Sequence, residues 1–152
     1  KKEIDLLFDF SLECAKAIPE CQFIWRLHPI FASIKLKYGN LPDNIIISDQ
    51  KLKHDLLKSQ WVLYRASSVV IQAVVAGLKP IYLHRADEIK IDPIYEIENW
   101  KSEVQSVQEF ESTVMQTKGD YSDYQQALKY CKDVYSPLNE KILIENIRKN
   151  NL

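Results

Sequence analysis

The sequence predicts an α/β fold, a parallel sheet with helices on both faces. Short apolar runs alternate with stretches of helical periodicity at close intervals, which is the pattern of parallel strands joined by crossover helices. One stretch, Trp61 to Leu83 (WVLYRASSVVIQAVVAGLKPIYL), contains a whole strand–helix–strand unit. The chain has 152 residues, 46% hydrophobic and 27% charged, enough for one domain with a core of its own and ordinary for a globular protein.

The elements follow in order. Ile4, Leu7, Phe8, Leu12, Ala15 and Ile18 recur at helical spacing and predict an amphipathic helix over 3–18, which Pro19 ends. Gln22 to Leu27 (QFIWRL) predicts a strand, followed by His28-Pro29. Ile30 to Tyr38 is read as a short helix. Gly39 to Asn44 holds the turn pairs Gly-Asn and Pro-Asp. Ile45 to Ile47 is a β-branched strand ending at Ser48-Asp49. Leu52 to Lys58 predicts a short helix with Leu52, Leu56 and Leu57 on its buried side.

The central unit comes next. Trp61 to Tyr64 is a short apolar run, the mark of a buried parallel strand. Arg65 and Ala66 form the turn, and Ser67 and Ser68 are of the type that starts helices. Val69 to Ala76 predicts an apolar helix, and Gly77 stands where a left-handed C-terminal cap is wanted. Pro80 to Leu83 predicts a second buried strand. Beyond it, His84 to Pro93 is polar and loop-like, and Ile94 to Asn99 predicts a turn of helix. Trp100 to Val107 contains a short strand around Val104. Gln108 to Gln116 predicts a helix with Phe110 and Val114 inward, and Gly119-Asp120 breaks it. Tyr121, Tyr124, Leu128, Cys131 and Tyr135 mark a further helix ended by Ser136-Pro137, and Leu138 to Lys149 a last one.

The bulk properties exclude several classes. A formal net charge of −1 gives no overall pull toward nucleic acid. No apolar run approaches the roughly 20 residues a membrane helix needs. Three glycines, Gly39, Gly77 and Gly119, are too few for a glycine-rich dinucleotide loop or a P-loop. Cys14, Cys21 and Cys131 have no metal-ligand spacing and read as thiols in a reducing cytoplasm. No metal or other cofactor is expected. The chain starts Lys1-Lys2-Glu3 rather than Met and shows no signal-peptide pattern, so residues 1–152 are expected to be one domain cut from a longer protein.

In parallel sheets, ligands bind at the carboxyl ends of the strands. The first strand end carries Arg26, His28 and Pro29, and the second Ser48 and Asp49. The third carries Arg65, Ser67 and Ser68, and the fourth His84 and Arg85. If the topology is right these share one rim, and together they suit an anion such as a nucleotide phosphate. Each has a plainer reading. Ser67 and Ser68 can be simple helix caps, although Val70 and Ile71 stand where a capping box would put Glu or Gln. His28 can be a packed histidine, and Arg26 is read first as half of a structural salt bridge. Asp49 can cap the next helix, His54 sits in a lysine-rich surface helix, and most polar residues of the loop with Arg85, Asp87 and Glu88 read as solvated.

RLHP (Arg26 to Pro29) followed by YRASSVVIQAVVAGLKPIYL (Tyr64 to Leu83) resembles the C-terminal, Rossmann-like half of GT-B glycosyltransferases. More narrowly, it resembles bacterial enzymes with an HP motif and a later Ser-Ser motif: sialyl- and polysialyltransferases, capsule Kdo transferases and CDP-glycerol-type polymer transferases. The resemblance is detailed over roughly residues 20–110. It implies a nucleotide-binding domain for a CMP- or CDP-activated donor in surface polysaccharide biosynthesis. His28 and Pro29 match the HP motif and Ser67 and Ser68 the Ser-Ser motif, holding the phosphate and ribose, and Gln72 stands at a ribose-binding position; Arg65 and His84 join them as donor-binding candidates from their place at the strand ends. His28 would also stabilise the leaving phosphate. Ala66 stands where many of these enzymes have Gly, and Gln72 where many have Glu. The resemblance further implies an N-terminal acceptor domain supplying the general base, and a cytoplasmic enzyme lying at the inner face of the membrane. A UDP- or GDP-sugar donor and a non-catalytic α/β interaction module are the competing readings. A phosphoacceptor receiver fits less well, because the first strand ends in His28 rather than an acidic pair.

Overall fold

The structure, a computed structural model, describes residues 3–27, 38–116 and 120–134. It is α/β, with small parallel sheets flanked by helices, an arrangement compatible with a Rossmann-like fold. Helix α1 (Glu3–Ala17) leads to strand β1 (Phe23–Arg26), and β2 (Ile45–Ser48) precedes the short helix α2 (Leu52–Lys58). Then come β3 (Trp61–Tyr64), α3 (Val69–Val75), β4 (Lys79–Leu83) and β5 (Ser102–Val104), followed by α4 (Val107–Met115) and α5 (Tyr121–Val134). The helix expected over 30–38, His28-Pro29, the Ser136-Pro137 stop and the last helix from Leu138 lie outside the described residues, apart from Tyr38.

The single sheet expected from the sequence is divided. β1 pairs with β2 in parallel, Phe23 beside Ile45 and Arg26 beside Ser48. β4 lies between β3 and β5, also parallel, with Tyr64, Tyr82 and Glu103 in one row. Among the described residues no backbone hydrogen bond joins β1 to β3. A common core holds the two sheets together. Phe8, Cys14, Ala15 and Ile18 of α1 and the turn after it pack with Phe23 and Trp25, Ile45, Ile81 and Leu83, Val104 and Phe110. The Phe110 ring stacks on Phe23 with centroids 5.9 Å apart and meets Phe10 edge-on at 6.2 Å. Asn44 closes the α1–β1 turn, its Nδ2 donating to the carbonyls of Ala15, Ile18 and Cys21 at 2.9, 3.2 and 2.9 Å.

The opposite face of β3 and β4 carries a second cluster. Tyr64 and Tyr82 pack there against Val70, Ile71 and Val74 of α3 and against Ala127 and Cys131 of α5. Helices therefore lie on both faces, as alternating inward residues on each strand require. α3 ends in the cap its sequence announced. Gly77 takes φ +90°, its N–H donates to Val74 O at 2.9 Å, and the Leu78 N–H reaches back to Ala73 O at 3.0 Å. Tyr121 does not belong to the buried stripe of α5. Its ring is exposed, and the stripe is made by Ala127 and Cys131 with Tyr124 half-buried.

The crossover from β4 to β5 departs from expectation. Ile94 to Asn99 does not form a helical turn; it is a chain of turns closed by Ile97 N–H to Ile94 O at 3.0 Å. Ile94, Ile97 and Trp100 bury themselves under α5, and Trp100 Nε1 donates to Leu78 O at 3.1 Å. This strap covers the sheet where a crossover helix would otherwise lie.

Candidate functional site

The site is built on the end of β3. Tyr64 is its last residue and sits beside Tyr82, so β3 and β4 finish side by side. Arg65 follows and turns inward, its side chain 5% exposed. Its Nη1 donates to Leu83 O at 3.2 Å, and its Nη2 forms an ion pair with Glu88. Ala66 then adopts φ +49°, a left-handed conformation that a β-carbon disfavours. A glycine would take this conformation without that cost.

Ser67 and Ser68 come out of that turn. Ser68 holds the cap position of α3 with φ −66° and ψ −13°, and its side chain makes no capping bond. The backbone carbonyls of Ser67 and Ser68 receive the Val70 and Ile71 amides at 3.2 and 3.1 Å. Neither hydroxyl has a hydrogen-bond partner among the described residues. The plain reading of these serines as side-chain caps is therefore not what the structure shows. α3 is only seven residues long, which limits any contribution from its dipole. Gln72 is exposed one turn further along.

His84 continues β4. Its N–H donates to Val104 O at 2.9 Å and its ring lies 6.4 Å from that of Tyr82. The imidazole makes no hydrogen bond among the described residues. Arg65, Ser67, Ser68 and His84 thus gather at the carboxyl ends of β3 and β4. The structure leaves His28 and Pro29 outside the described residues.

Arg26 and Ser48 end β1 and β2 and serve each other's elements. Arg26 Nη1 donates to Gln50 O at 2.7 Å and pairs with Asp55 of α2. The Ser48 hydroxyl donates to Asp55 Oδ1 at 3.0 Å. Burial pushes the Asp55 carboxyl up, but the bonds from Ser48 and Arg26 and the Arg26 charge outweigh it and leave the group below its ordinary value. The structural role expected of Arg26 is the one it has. This pair also corrects the face of α2. Asp55 is buried at 6% exposure, while Leu57 is 68% exposed. Asp49 does not cap α2; its carboxylate accepts from Gln50 Nε2 at 3.0 Å, and Lys51 stands at the cap. His54 is exposed, as its surroundings in the sequence implied.

Two groups escaped sequence reasoning. The buried Tyr64 hydroxyl donates to Asp92 Oδ1 at 2.8 Å, and Lys101 Nζ reaches Asp92 Oδ2 at 2.6 Å. The partners are far apart in the chain, and no local pattern marks them. The second is a cleft of about 140 Å³ between the strap and α5, lined by Glu96, Glu98, Asn99, Trp100, Asp123 and Gln126. One of its lining residues, Trp100, is bonded to Leu78 just before β4. Among the described residues no group of three or more His, Cys, Asp or Glu side chains is placed to hold a metal ion. No helix of the described residues is long and apolar enough to cross a membrane.

Fold and site define an α/β chain with hydroxyls and an imidazole at the ends of adjacent parallel strands. No protein-family model matches the sequence, and no curated protein or solved structure is significantly similar to it.

Proposed function

We propose that the chain is the donor-nucleotide-binding half of a GT-B glycosyltransferase acting in bacterial surface polysaccharide biosynthesis, with a CMP- or CDP-activated donor. The observation that carries this reading is the pair of uncommitted hydroxyls, Ser67 and Ser68, which follow the left-handed Ala66 at the end of β3, the strand paired in parallel with the β4 that leads to His84. Hydroxyls held so can donate to a phosphate without first breaking bonds within the protein. His28, matched by motif, adds a donor to the leaving phosphate, and Gln72 and His84 face ribose or base. Together they stabilise charge growing on the leaving group, and an acceptor domain supplies the base. The chain by itself binds nucleotide weakly and catalyses nothing.

Calorimetric titration with CMP, CDP, UDP and GDP tests this. Binding led by CMP or CDP and lost in Ser67→Ala/Ser68→Ala and in His28→Ala supports the cytidine reading. A ranking led by UDP or GDP moves the donor class. Binding that ignores all three substitutions removes the site.

One observation favours a second reading, a non-catalytic interaction module. Two cations of the rim, Arg65 and Arg26, are already engaged by Glu88 and Asp55. That reading expects no nucleotide to raise the melting temperature, whereas a ligand of the folded state must raise it.

A further inference from the structure

Tyr82 is a hub at the carboxyl end of β4. Its ring is buried in one cluster with Val70 and Ile71, which belong to the first turn of α3, directly after Ser67 and Ser68. The His84 ring lies 6.4 Å from it, since residues two apart on an extended chain share a face. Lys90 Nζ stands 5.5 Å from the centroid of the same ring. The serine turn, His84 and the segment that follows β4 therefore all border Tyr82. That segment is anchored at several points. Glu88 pairs with Arg65 just beyond β3, Lys90 pairs with Glu103 of β5, and Asp92 accepts from the Tyr64 hydroxyl and the Lys101 ammonium. Lys90 and Asp92 turn toward the sheet. Ile89 and Ile91 alternate with them and turn out, 88% and 57% exposed. A single exposed isoleucine is ordinary, but these two share one side of an anchored segment at the end of the sheet that carries the candidate site.

We propose that Ile89 and Ile91 are the apolar wall of the nucleotide site, and that the face of the donor's base packs on them while Ser67 and Ser68 hold its phosphate. The inference rests on the nucleotide reading and adds the contact for the base. A flat heterocycle gains by leaving water against apolar surface. β-Branched side chains are stiff, so they lose little freedom on contact. The wall offers no hydrogen bond, so it adds affinity for any base and leaves the choice among bases to polar groups.

The experiment is a calorimetric titration of the wild type and of Ile89→Ser/Ile91→Ser with CMP and with ribose phosphate, which lacks the base. The variant is expected to bind CMP about tenfold more weakly and ribose phosphate as the wild type does. Unchanged CMP affinity overturns the proposal. So does an equal loss for both ligands, which would make the isoleucines supports of the fold. Should the double variant fail to fold, Ile89→Ser alone, at the more exposed position, must show a selective loss of about threefold. CMP binding that falls in Ser67→Ala/Ser68→Ala and ignores the isoleucines retires the wall alone. A wild type that binds none of CMP, CDP, UDP and GDP retires the nucleotide reading and the wall with it.

Discussion

The Tyr64 hydroxyl donates to Asp92 Oδ1 at 2.8 Å, so the last residue of β3 grips the strap that leaves β4. The same carboxylate takes the Ile94 amide at 3.0 Å and the Lys101 ammonium at 2.6 Å. Tyr64→Phe removes one bond and leaves Asp92 with two partners, an expected cost of about 1 kcal/mol. Asp92→Ala leaves the buried Lys101 ammonium with Ile94 O at 3.3 Å and the Glu103 carboxylate at 4.0 Å, and is expected to cost more, about 3 kcal/mol. Urea unfolding of both variants checks the order. Equal losses would mean that the network is not held together through Asp92.

Stability is expected to decline in alkali. Burial, reinforced by Glu13 and Cys21, pushes the Cys14 thiol from 9.0 up to about 12. Burial alone moves Cys131 from 9.0 to about 11. Burial also raises the Tyr64 phenol, with Asp92 adding to it. In each case the folded state keeps a proton that the unfolded chain releases. The contribution is complete below the unfolded value and is lost as pH rises toward the folded one. Urea midpoints at about pH 8 and about pH 10 should therefore differ, and less so in Cys14→Ala/Cys131→Ala. An unchanged difference in that variant rules out the thiols.

Asp55 gives the opposite sign. Its carboxyl lies below the ordinary value through Ser48 and Arg26 against the upward push of burial. Its contribution is present above the unfolded value and disappears as pH falls through the folded one. Arg26→Met is expected to flatten the acid limb of stability below about pH 4. A limb as steep as that of the wild type would assign the acid sensitivity elsewhere.

Ala66 at φ +49° predicts a stabilising change toward glycine. Relief of the left-handed strain is about 1–2 kcal/mol, offset by roughly 0.5–1 kcal/mol of added chain entropy. Ala66→Gly should raise the urea midpoint slightly, and Ala66→Val should lower it. A lower midpoint in Ala66→Gly would show that the turn is not strained.

The serine hydroxyls have no partner among the described residues, so Ser67→Ala/Ser68→Ala should leave the unliganded melting free energy within about 0.5 kcal/mol. Its effect is expected only on ligand-induced stabilisation. A large loss without ligand would show that the hydroxyls serve the fold.

What the sequence disclosed was local. β3 runs from Trp61 to Tyr64 as its apolar run says, and Gly77 caps α3 where its conformational freedom is needed. What it hid depends on distant partners. Asp55 is buried because Arg26 reaches it from β1, and periodicity alone put Leu57 on that face instead. Arg65 looked available for a ligand because Glu88 lies beyond an intervening helix and strand. The division of the sheet was equally invisible. Strand-forming runs are read one at a time, and their neighbours are not written in them. Of the site, the turn carrying Ser67 and Ser68 was legible, because a strand end meeting a helix start has a local signature.

The missing hydrogen bonds between β1 and β3 have a mechanical consequence. Among the described residues the two sheets share a core of rings and methyl groups, with Phe110 against Phe23 as one of the clasps. Packing of this kind resists separation but tolerates sliding, since a small shear exchanges one set of dispersion contacts for another and no ladder has to break.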